Sequence, residues 1–462
     1  MTSLADTLRC AGMPPTDAVR PQALRPALGR DLDADWAVAR PHLQACADLL
    51  RWLPPRPRRS PSEQAAAAAL LAEARSTREA LLRRHAPAIY ARLTAGRTRL
   101  VRMVELAWSA AAAFPGLVPD AEAVATEQRR PLAEQDGVQI DQGLLFAHLL
   151  ADPASGLHLL QAMAQPTPAS LALLPALRAQ GRVELPQATL ERVGERGHIT
   201  FHNQAWLNAE DDETEEALET LVDLALLDDR IQVGVLRGAP MTKSKYAGRR
   251  VFGAGINLTR LYHGQISLVR FMLQREAGPL TKIYRGLARP EPDRAGDDDR
   301  LEKPFVGAVE AFAIGGHCQL LLVLDRVIAE RGAYFNLPAR KEGIIPGLAN
   351  LRLPRFVGER ATRQGIFFNR AFPADSPEGR QLCDQLVDGD AGMEAAIDTA
   401  CTELLGAGVT SLVANRRALR VGAEPLDLFR RYLSTYAREQ AHCLFSPALV
   451  DNLVRHWNAQ QR

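Results

Sequence analysis

Between about residues 196 and 375 the chain alternates strand-like and helix-like segments, and this alternation constrains the fold most. HITFH (198–202) and IQVGVLRG (231–238) have the pattern of strands. DETEEALETLVDLAL (212–226) has the apolar spacing of an amphipathic helix, with acids in its first turn. KPFVGAVEAFAIGG (303–316) is predicted to be a strand that ends in a glycine turn, with a helix after it. Strands that alternate with helices indicate βαβ units, and therefore a parallel sheet with right-handed crossovers.

The segments on either side of this α/β core are predicted to be helical. Residues 1–195 are rich in Ala, Leu, Arg and Glu at helical spacing, and we expect an all-helical N-terminal domain. Its clearest helix is SEQAAAAALLAEARSTREALLRRH (62–85), for which Ser62 is the expected N-cap. Residues 376–462 are predicted to form a helical C-terminal segment. The expected domains are therefore 1–195, 196–375 and 376–462.

Composition excludes several classes of protein. A chain of 462 residues is too long for one compact core, and its net charge of +2 gives no reason to expect nucleic acid as a partner. Six scattered cysteines form no C-x-x-C pair, which argues against a disulfide framework. The first residues lack a secretory signal pattern, and the apolar runs are short and carry charges. We therefore expect a cytoplasmic protein with no membrane segment.

Two glycine-rich turns are the candidate functional elements. AIGGHCQ (313–319) joins a strand to a helix, and GRRVFGAGINL (248–258) follows the strand at 231–238 after a loop. Glycines allow close backbone approach, and free main-chain N–H groups at such turns stabilise a ligand oxygen that gains negative charge. One such turn by itself is more typical of tight packing. Two turns that converge on one oxygen indicate an anion hole.

Other kinds of site fit the spacing poorly. The G-x-G-x-x-G at 253–258 lacks its third glycine and does not directly follow its strand, which argues against a dinucleotide fold. His317 and Cys318 are adjacent, so on a helix they point in different directions and chelate poorly. His198 and His202 share a strand face, but no third ligand is close in sequence, so a packed or solvated pair is favoured. The sequence therefore predicts no metal site.

The order and spacing of these motifs resemble the crotonase (enoyl-CoA hydratase/isomerase) superfamily over about residues 196 to 375. The resemblance implies a ββα spiral core and assembly into trimers or dimers of trimers, with residues 376–462 in the contacts between subunits. It also implies that two main-chain N–H groups, on Ile256 and Gly316, stabilise a thioester enolate. The stretches that carry the resemblance are HITFHNQAWLNAEDDETEEAL, VGVLRG, GAGINL and AFAIGGHCQLLLVLDRVIAERGAYFNLPARKEGIIPG.

Two departures from the superfamily pattern argue against hydratase chemistry. The hydratases have one glutamate three residues after the second oxyanion glycine, where this chain has Gln319. They have another after the proline of F-x-x-P-E, where this chain has Ala339. Hydration requires both carboxylates to activate and deliver water. An amide and a methyl group do not replace them.

A closer resemblance is to the superfamily's cofactor-independent dioxygenases that act on (3,5-dihydroxyphenyl)acetyl-CoA in the biosynthesis of glycopeptide antibiotics. It rests on GRRVFGAGINLTRLYHG, IGGHCQ and the long helical N-terminal extension. It implies that Glu210 and Arg275 bind the ring hydroxyls, far from the thioester, and that Gln319 lies near the reacting end. It also implies that O2 is the co-substrate, without metal or flavin. The residues alone leave purely structural roles open. These are dipole stabilisation at a helix start for Glu210, a favourable cation at a helix end for Arg275, and a solvated amide for Gln319.

The alternative function is that of a crotonase-fold hydrolase, isomerase or lyase that acts on an aryl thioester without O2; a non-catalytic scaffold is a third possibility. The basic loop KSKYAGRR (243–250) is a candidate for binding the CoA phosphates, and a solvated loop explains it equally well. The sequence identifies no general base.

Overall fold

The computed structural model describes residues 3–242, 245–288 and 300–457. The chain divides into two compact units. Unit 1 comprises Met1–Leu159, Tyr262–Val269 and Leu433–Pro447. Unit 2 comprises Leu160–Leu261, Arg270–Tyr432 and Ala448–Arg462.

The helices and strands follow one another in three stretches. The first is helical: α1 (Leu4–Cys10), α2 (Pro15–Ala23), α3 (Leu32–Trp52), α4 (Pro61–Leu93), α5 (Met103–Ala113), α6 (Ala121–Gln128), α7 (Ile140–Ala151), α8 (Pro153–Met163) and α9 (Pro168–Gln180). The middle stretch is mixed: β1 (Arg182–Leu185), β2 (Ala188–Val193), β3 (Arg196–Phe201), α10 (Asp212–Leu227), β4 (Val233–Gly238), α11 (Leu258–Tyr262), a π-helix (Leu268–Leu273), α12 (Gln274–Ala277), α13 (Pro279–Arg285), β5 (Leu287–Ala288), β6 (Arg300–Leu301), β7 (Phe305–Val309), β8 (Phe312–Ile314), α14 (Gly316–Leu321), β9 (Arg326–Glu330), β10 (Tyr334–Asn336), α15 (Ala339–Glu342), α16 (Ala349–Phe368), β11 (Phe372–Pro373), α17 (Gly379–Leu382) and β12 (Gln385–Val387). The last stretch is α18 (Gly389–Gly406), α19 (Val409–Ala423), α20 (Leu426–Leu444) and α21 (Pro447–Trp457).

A seven-stranded sheet in the order β1-β2-β3-β4-β7-β9-β12 organises unit 2. β1, β2 and β3 are antiparallel neighbours, whereas β3, β4, β7, β9 and β12 run parallel. A smaller sheet has the order β11-β10-β8, and β5 pairs with β6. This is the mixed α/β, crotonase-like fold that the sequence predicts, with helical regions at both ends.

The central strands bury both faces, as parallel strands covered by helices do. Side chains of one face, among them Val235, Val306 and Ile328, pack in a cluster with Met393 and Ile397 of α18. The other face belongs to a larger cluster with residues of α10, α13, α14 and α16. The apolar runs of β4 and β7 therefore lie between two helical layers, and the strand ends and their turns are held in place.

In unit 1, α4 begins two residues earlier than the sequence predicts. The N-cap is Ser60, whose hydroxyl accepts from the Glu63 N–H, while the Glu63 side chain accepts from the Ser60 N–H. Ser62 lies inside the helix, so the prediction that it is the N-cap is wrong. Pro61 at the first helical position explains the shift, because proline there loses no hydrogen bond.

The expected helical boundaries are wrong in two places. Residues 182–193 form β1 and β2, which pair across the two-residue connection at 186–187 and extend the sheet beyond β3. Residues 385–387 form β12 at the opposite edge. The two compact units also divide the chain at other positions than the expected limits of 195 and 375.

Within the described ranges, no single helix is long and apolar enough to cross a membrane; one bent pair, Ile140–Ala151 with Pro153–Gln180, meets the length and composition requirements together.

Candidate active site

The two glycine-rich turns touch each other in unit 2. Gly253 pairs with Ala313 in a parallel bridge, through the Ile314 N–H and the Gly253 carbonyl at 3.0 Å. Gly255 and Gly315 both have positive φ, +78° and +56°. A Cβ on Gly255 would lie 2.9 Å from the Ile314 carbonyl oxygen, so only glycine fits there. The predicted convergence of the two turns is therefore present.

The N–H groups of Ile256 and Gly316 have no acceptor among the described residues. Glu210 forms a parallel bridge with Ile256, in which the Glu210 N–H donates to Gly255 and the Asn257 N–H donates to Glu210, each at 2.7 Å. This pairing leaves the Ile256 N–H outside the bridge. Gly316 is the first residue of α14, where an N–H has no partner within its helix. Both groups are available as donors to a ligand.

A cavity of about 640 Å³ lies beside these turns. Of the five predicted site residues, all described, Ile256 lines the cavity. Glu210, Arg275, Gly316 and Gln319 are buried and are not among its lining residues. The wall is largely apolar and aromatic, with exposed lysines and one carboxylate among its charged members. It includes Trp206, Ala209, Tyr246, Ala254, Phe312, Ile314, Tyr334, Asn336, Lys245, Lys341, Glu342 and His456.

Arg275 of α12 is the centre of a buried polar cluster. Its Nη2 donates to Glu210 Oε1 at 2.8 Å and to the Gly316 carbonyl at 2.7 Å. Its Nη1 donates to Glu276 Oε1 at 2.9 Å and to Gln319 Oε1 at 3.1 Å. These bonds unite four of the five predicted site residues with Glu276.

The cluster holds more carboxylates than cations. Burial acts to raise the pKa of Glu210, but Arg275 and His317 outweigh it and hold that pKa below its ordinary value. Burial raises the pKa of Glu276. It raises the pKa of Glu215 well above the usual range. Glu215 Oε1 lies 3.5 Å from Arg275 Nε. Glu215 therefore holds a proton more tightly than an ordinary carboxyl group, whereas the ionised form of Glu210 is stabilised by Arg275.

Several buried polar atoms of the cluster lack a hydrogen-bond partner among the described residues. They include Glu210 Oε2, Glu215 Oε2, Arg275 Nε and His317 Nδ1. Buried polar groups are almost always paired, so orphaned atoms mark a place where a ligand or water is expected. A Cβ on Gly316 would lie 1.7 Å from Glu210 Oε2. The free carboxylate oxygen therefore faces the glycine of the second turn.

His317 and Cys318 have packing roles. The His317 ring makes edge contacts with Phe201 and Phe252 at 5.4 and 5.7 Å, and burial lowers its pKa. Burial raises the pKa of the Cys318 thiol to about 12, so it is not a nucleophile at neutral pH. Within the described ranges, no three His, Cys, Asp or Glu side chains are placed to hold a metal ion.

One expectation about the site is wrong. We expected the proposed ring-binding pair, Glu210 and Arg275, to lie far from the groups that act on the thioester. Instead, Arg275 bonds directly to Gly316 and Gln319. The reason is that the Arg275 guanidinium of α12 reaches both the first residue of α14, Gly316, and the side chain of Gln319. Any change to Arg275 therefore also changes the surroundings of the oxyanion turn.

Comparison with known proteins agrees with this geometry. The model of the enoyl-CoA hydratase/isomerase family matches residues 298–435. A (3,5-dihydroxyphenyl)acetyl-CoA 1,2-dioxygenase from Amycolatopsis orientalis is 46% identical over 407 residues, covering 88% of this chain and 92% of the relative. The chain belongs to this dioxygenase family.

More distant relatives are enoyl-CoA hydratases. The short-chain-enoyl-CoA hydratase of Clostridium acetobutylicum is 27% identical over 47% of this chain and 75% of its own length. A solved enoyl-CoA hydratase from Mycobacterium avium subsp. paratuberculosis is 18% identical, covers 58% of this chain and 98% of its own, and has a TM-score of 0.48. The 46% identical relative and the family model confirm the resemblance to the dioxygenase family within the crotonase superfamily.

Sequence reasoning missed two carboxylates of the buried cluster around Arg275. Glu215 lies one turn into α10 and Glu276 follows Arg275 directly, but neither stands in a recognisable motif. A signal for Glu215 was present: it occupies an apolar-facing position of an amphipathic helix, where a carboxylate requires a partner. Of the basic loop 243–250, Lys243 and Ser244 lie outside the described residues. Lys245 lines the cavity, and Arg249 and Arg250 donate to main-chain carbonyls.

Proposed function

We propose that this enzyme converts (3,5-dihydroxyphenyl)acetyl-CoA and O2 to (3,5-dihydroxyphenyl)glyoxylate and CoA without metal or organic cofactor. The observation that carries the proposal is the meeting of two glycine turns beside the buried cluster of Glu210, Arg275 and Gln319. Each turn has an N–H without an acceptor in the described part of the chain. The 46% identical relative that bears this activity in its name supports the same substrate.

The oxyanion turns make the α-carbon of the thioester acidic. The Ile256 and Gly316 N–H groups donate to the thioester oxygen as it becomes an enolate oxygen. One such donor in a site shielded from water is typically worth about 3–4 kcal/mol of transition-state stabilisation. Because the enolate also delocalises into the aryl ring, loss of the α-proton yields a carbanion rich enough in electrons to reduce O2.

The oxygen chemistry then needs no further reductant. The enolate carbon bonds to O2 and forms a peroxide anion, whose terminal oxygen attacks the thioester carbonyl and expels CoA thiolate. The O–O bond breaks as the second α-hydrogen leaves as a proton, giving the α-keto group and the carboxylate. Both atoms of O2 therefore enter the product.

The buried cluster is proposed to recognise the ring. The free Oε2 of Glu210 and the Nε of Arg275 are a charged acceptor and a charged donor that suit two phenolic hydroxyls. Arg275 donates to the Gln319 amide oxygen, and the Gln319 amide nitrogen is proposed to face the thioester end of the substrate. The exposed Lys245 and Lys341 on the cavity wall are placed to meet CoA phosphates.

The proposal is tested by oxygen uptake with (3,5-dihydroxyphenyl)acetyl-CoA in the presence of EDTA. We expect one O2 consumed for each CoA and each arylglyoxylate released, and two labelled oxygen atoms in the product from ¹⁸O2. CoA release without O2 uptake, with arylacetate as product, would identify a hydrolase. Activity that is lost on exhaustive chelation and restored by iron or copper would refute the cofactor-free reaction.

We also propose that the enzyme is a cytoplasmic homo-oligomer, a trimer or dimer of trimers, with residues 376–462 in the subunit contacts, and that it serves dihydroxyphenylglycine biosynthesis. Family membership supports this assembly. Light scattering on the purified chain tests it. A monomer that retains full activity would contradict it.

A further inference from the structure

Glu342 carries the one carboxylate among the described residues that line the cavity beside Ile256. Glu342 ends α15, the single turn of helix that follows Pro338. Ala339 occupies the position where the hydratases carry a glutamate, and it is buried. Residues three apart on a helix share a face, so Glu342 lies on the face of position 339, one turn further on.

The carboxylate of Glu342 is free to act. It is partly buried, and burial and the charge of Lys341 act on it without a hydrogen bond from any described residue. By contrast, Glu210 and Glu276 both accept bonds from Arg275, and Glu215 lies 3.5 Å from the same guanidinium. Those three carboxylates neutralise a buried cation and are poorly suited to take a proton from carbon.

The surroundings of Glu342 bring the pKa of its carboxyl group close to neutral pH. Burial raises the pKa of Glu342 to about 7, although Lys341 beside it acts in the opposite direction. The other titratable groups on this wall are Lys245 and Tyr246 from the basic loop, Tyr334 from β10 and His456 from α21. A base with a pKa near the working pH is effective in proton transfer.

We propose that Glu342 is the general base that removes the α-proton of the thioester in the dioxygenase reaction. This inference rests on the proposed function. In the step, a carboxylate oxygen of Glu342 forms a bond to the proton, and the C–H electron pair becomes the Cα–C double bond of the enolate. The carbonyl π pair moves onto the oxygen held by the Ile256 and Gly316 N–H groups. The superfamily's missing glutamate is thus replaced one helical turn later.

Anaerobic loss of deuterium tests this step apart from the oxygen chemistry. The substrate is (3,5-dihydroxyphenyl)acetyl-CoA deuterated at the α-carbon, and its exchange with water is followed by mass spectrometry without O2. We expect Glu342→Gln to slow exchange at least ~100-fold, the usual contribution of a general base. The matched control is Glu359→Gln, a change of an exposed glutamate of α16, which should leave the rate within twofold.

The pH dependence and chemical rescue make the assignment specific. The wild-type rate of exchange should rise as pH increases through about 7, because the base acts when it is deprotonated. This limb should vanish in Glu342→Gln. If that variant folds poorly by circular dichroism, Glu342→Ala should regain exchange in added formate, whereas Glu359→Ala should not respond to formate.

Two results would overturn the assignment. One is exchange in Glu342→Gln within twofold of the wild type, and the other is loss of exchange in His456→Gln while Glu342→Gln retains it. A wild-type enzyme that exchanges deuterium but consumes no O2 would refute the proposed oxygenase activity and leave the role of Glu342 to be decided by the same comparison.

Discussion

Replacing Arg275 by methionine should destabilise the protein strongly, because it removes the cation that three buried carboxylates share. Arg275 is 3% exposed, and it pairs with Glu210, Glu215 and Glu276 within 3.5 Å. Methionine preserves much of the volume, so the loss is mainly electrostatic. Breaking a buried ion pair by removing one partner costs about 3–5 kcal/mol.

The destabilisation should depend on pH in a defined direction. Without Arg275, burial and mutual repulsion raise the folded-state pKa of the remaining carboxylates above their unfolded values. The folded variant then binds more protons than its unfolded chain, so its stability falls as pH rises. The difference in the free energy of unfolding between wild type and Arg275→Met should therefore be larger at pH 7.5 than at pH 5.5.

Denaturant unfolding monitored by circular dichroism at the two pH values measures this difference. The control is Arg363→Met, which removes an exposed pair with Glu359 at 3.0 Å and should cost less than about 0.5 kcal/mol. A loss below about 1 kcal/mol for Arg275→Met, or the same loss at both pH values, would show that Arg275 does not carry the charge of the cluster.

Three further predictions follow from the geometry. Gly316→Ala should lower oxygen uptake at least ~100-fold, because the new methyl group would collide with Glu210, whereas Gly332→Ala, which has open space around it, should keep full uptake. Ser60→Ala should lower the free energy of unfolding by about 1 kcal/mol through loss of the N-cap of α4, and Ser62→Ala by less than about 0.5 kcal/mol, as measured by denaturant titration. A chain that starts at residue 196 should be insoluble on expression, since it lacks β1 and β2 and exposes the edge of β3; a soluble, fully active product would contradict this.

Elements with a strong local pattern could be predicted from the sequence. β3, β4 and α10 were predicted because each has one clear periodicity and, for α10, acids at its start. The two glycine turns were predicted because glycine is required wherever the backbone adopts positive φ or approaches another chain segment closely. The family resemblance added the identities of Ile256 and Gly316 as candidate donors.

The short edge strands could not be predicted from local sequence patterns. β1 and β12 have four and three residues, too few for an alternation to stand out from helical spacing. Their structure depends on a neighbour, since β1 pairs with β2 and β12 pairs with β9 across more than fifty residues of chain. Pairing of this kind is set by tertiary contacts.

The electrostatics of the site also came from the tertiary structure alone. Glu210 and Arg275 are separated by 65 residues, and yet their side chains bond at 2.8 Å in a buried cluster with Glu276. Glu342 has no motif that marks it, and it becomes a candidate base only because α15 places it on the wall of the cavity that contains Ile256. The sequence fixes which groups are ionisable, but burial and neighbours set their proton affinities, and both exist only after the chain has folded.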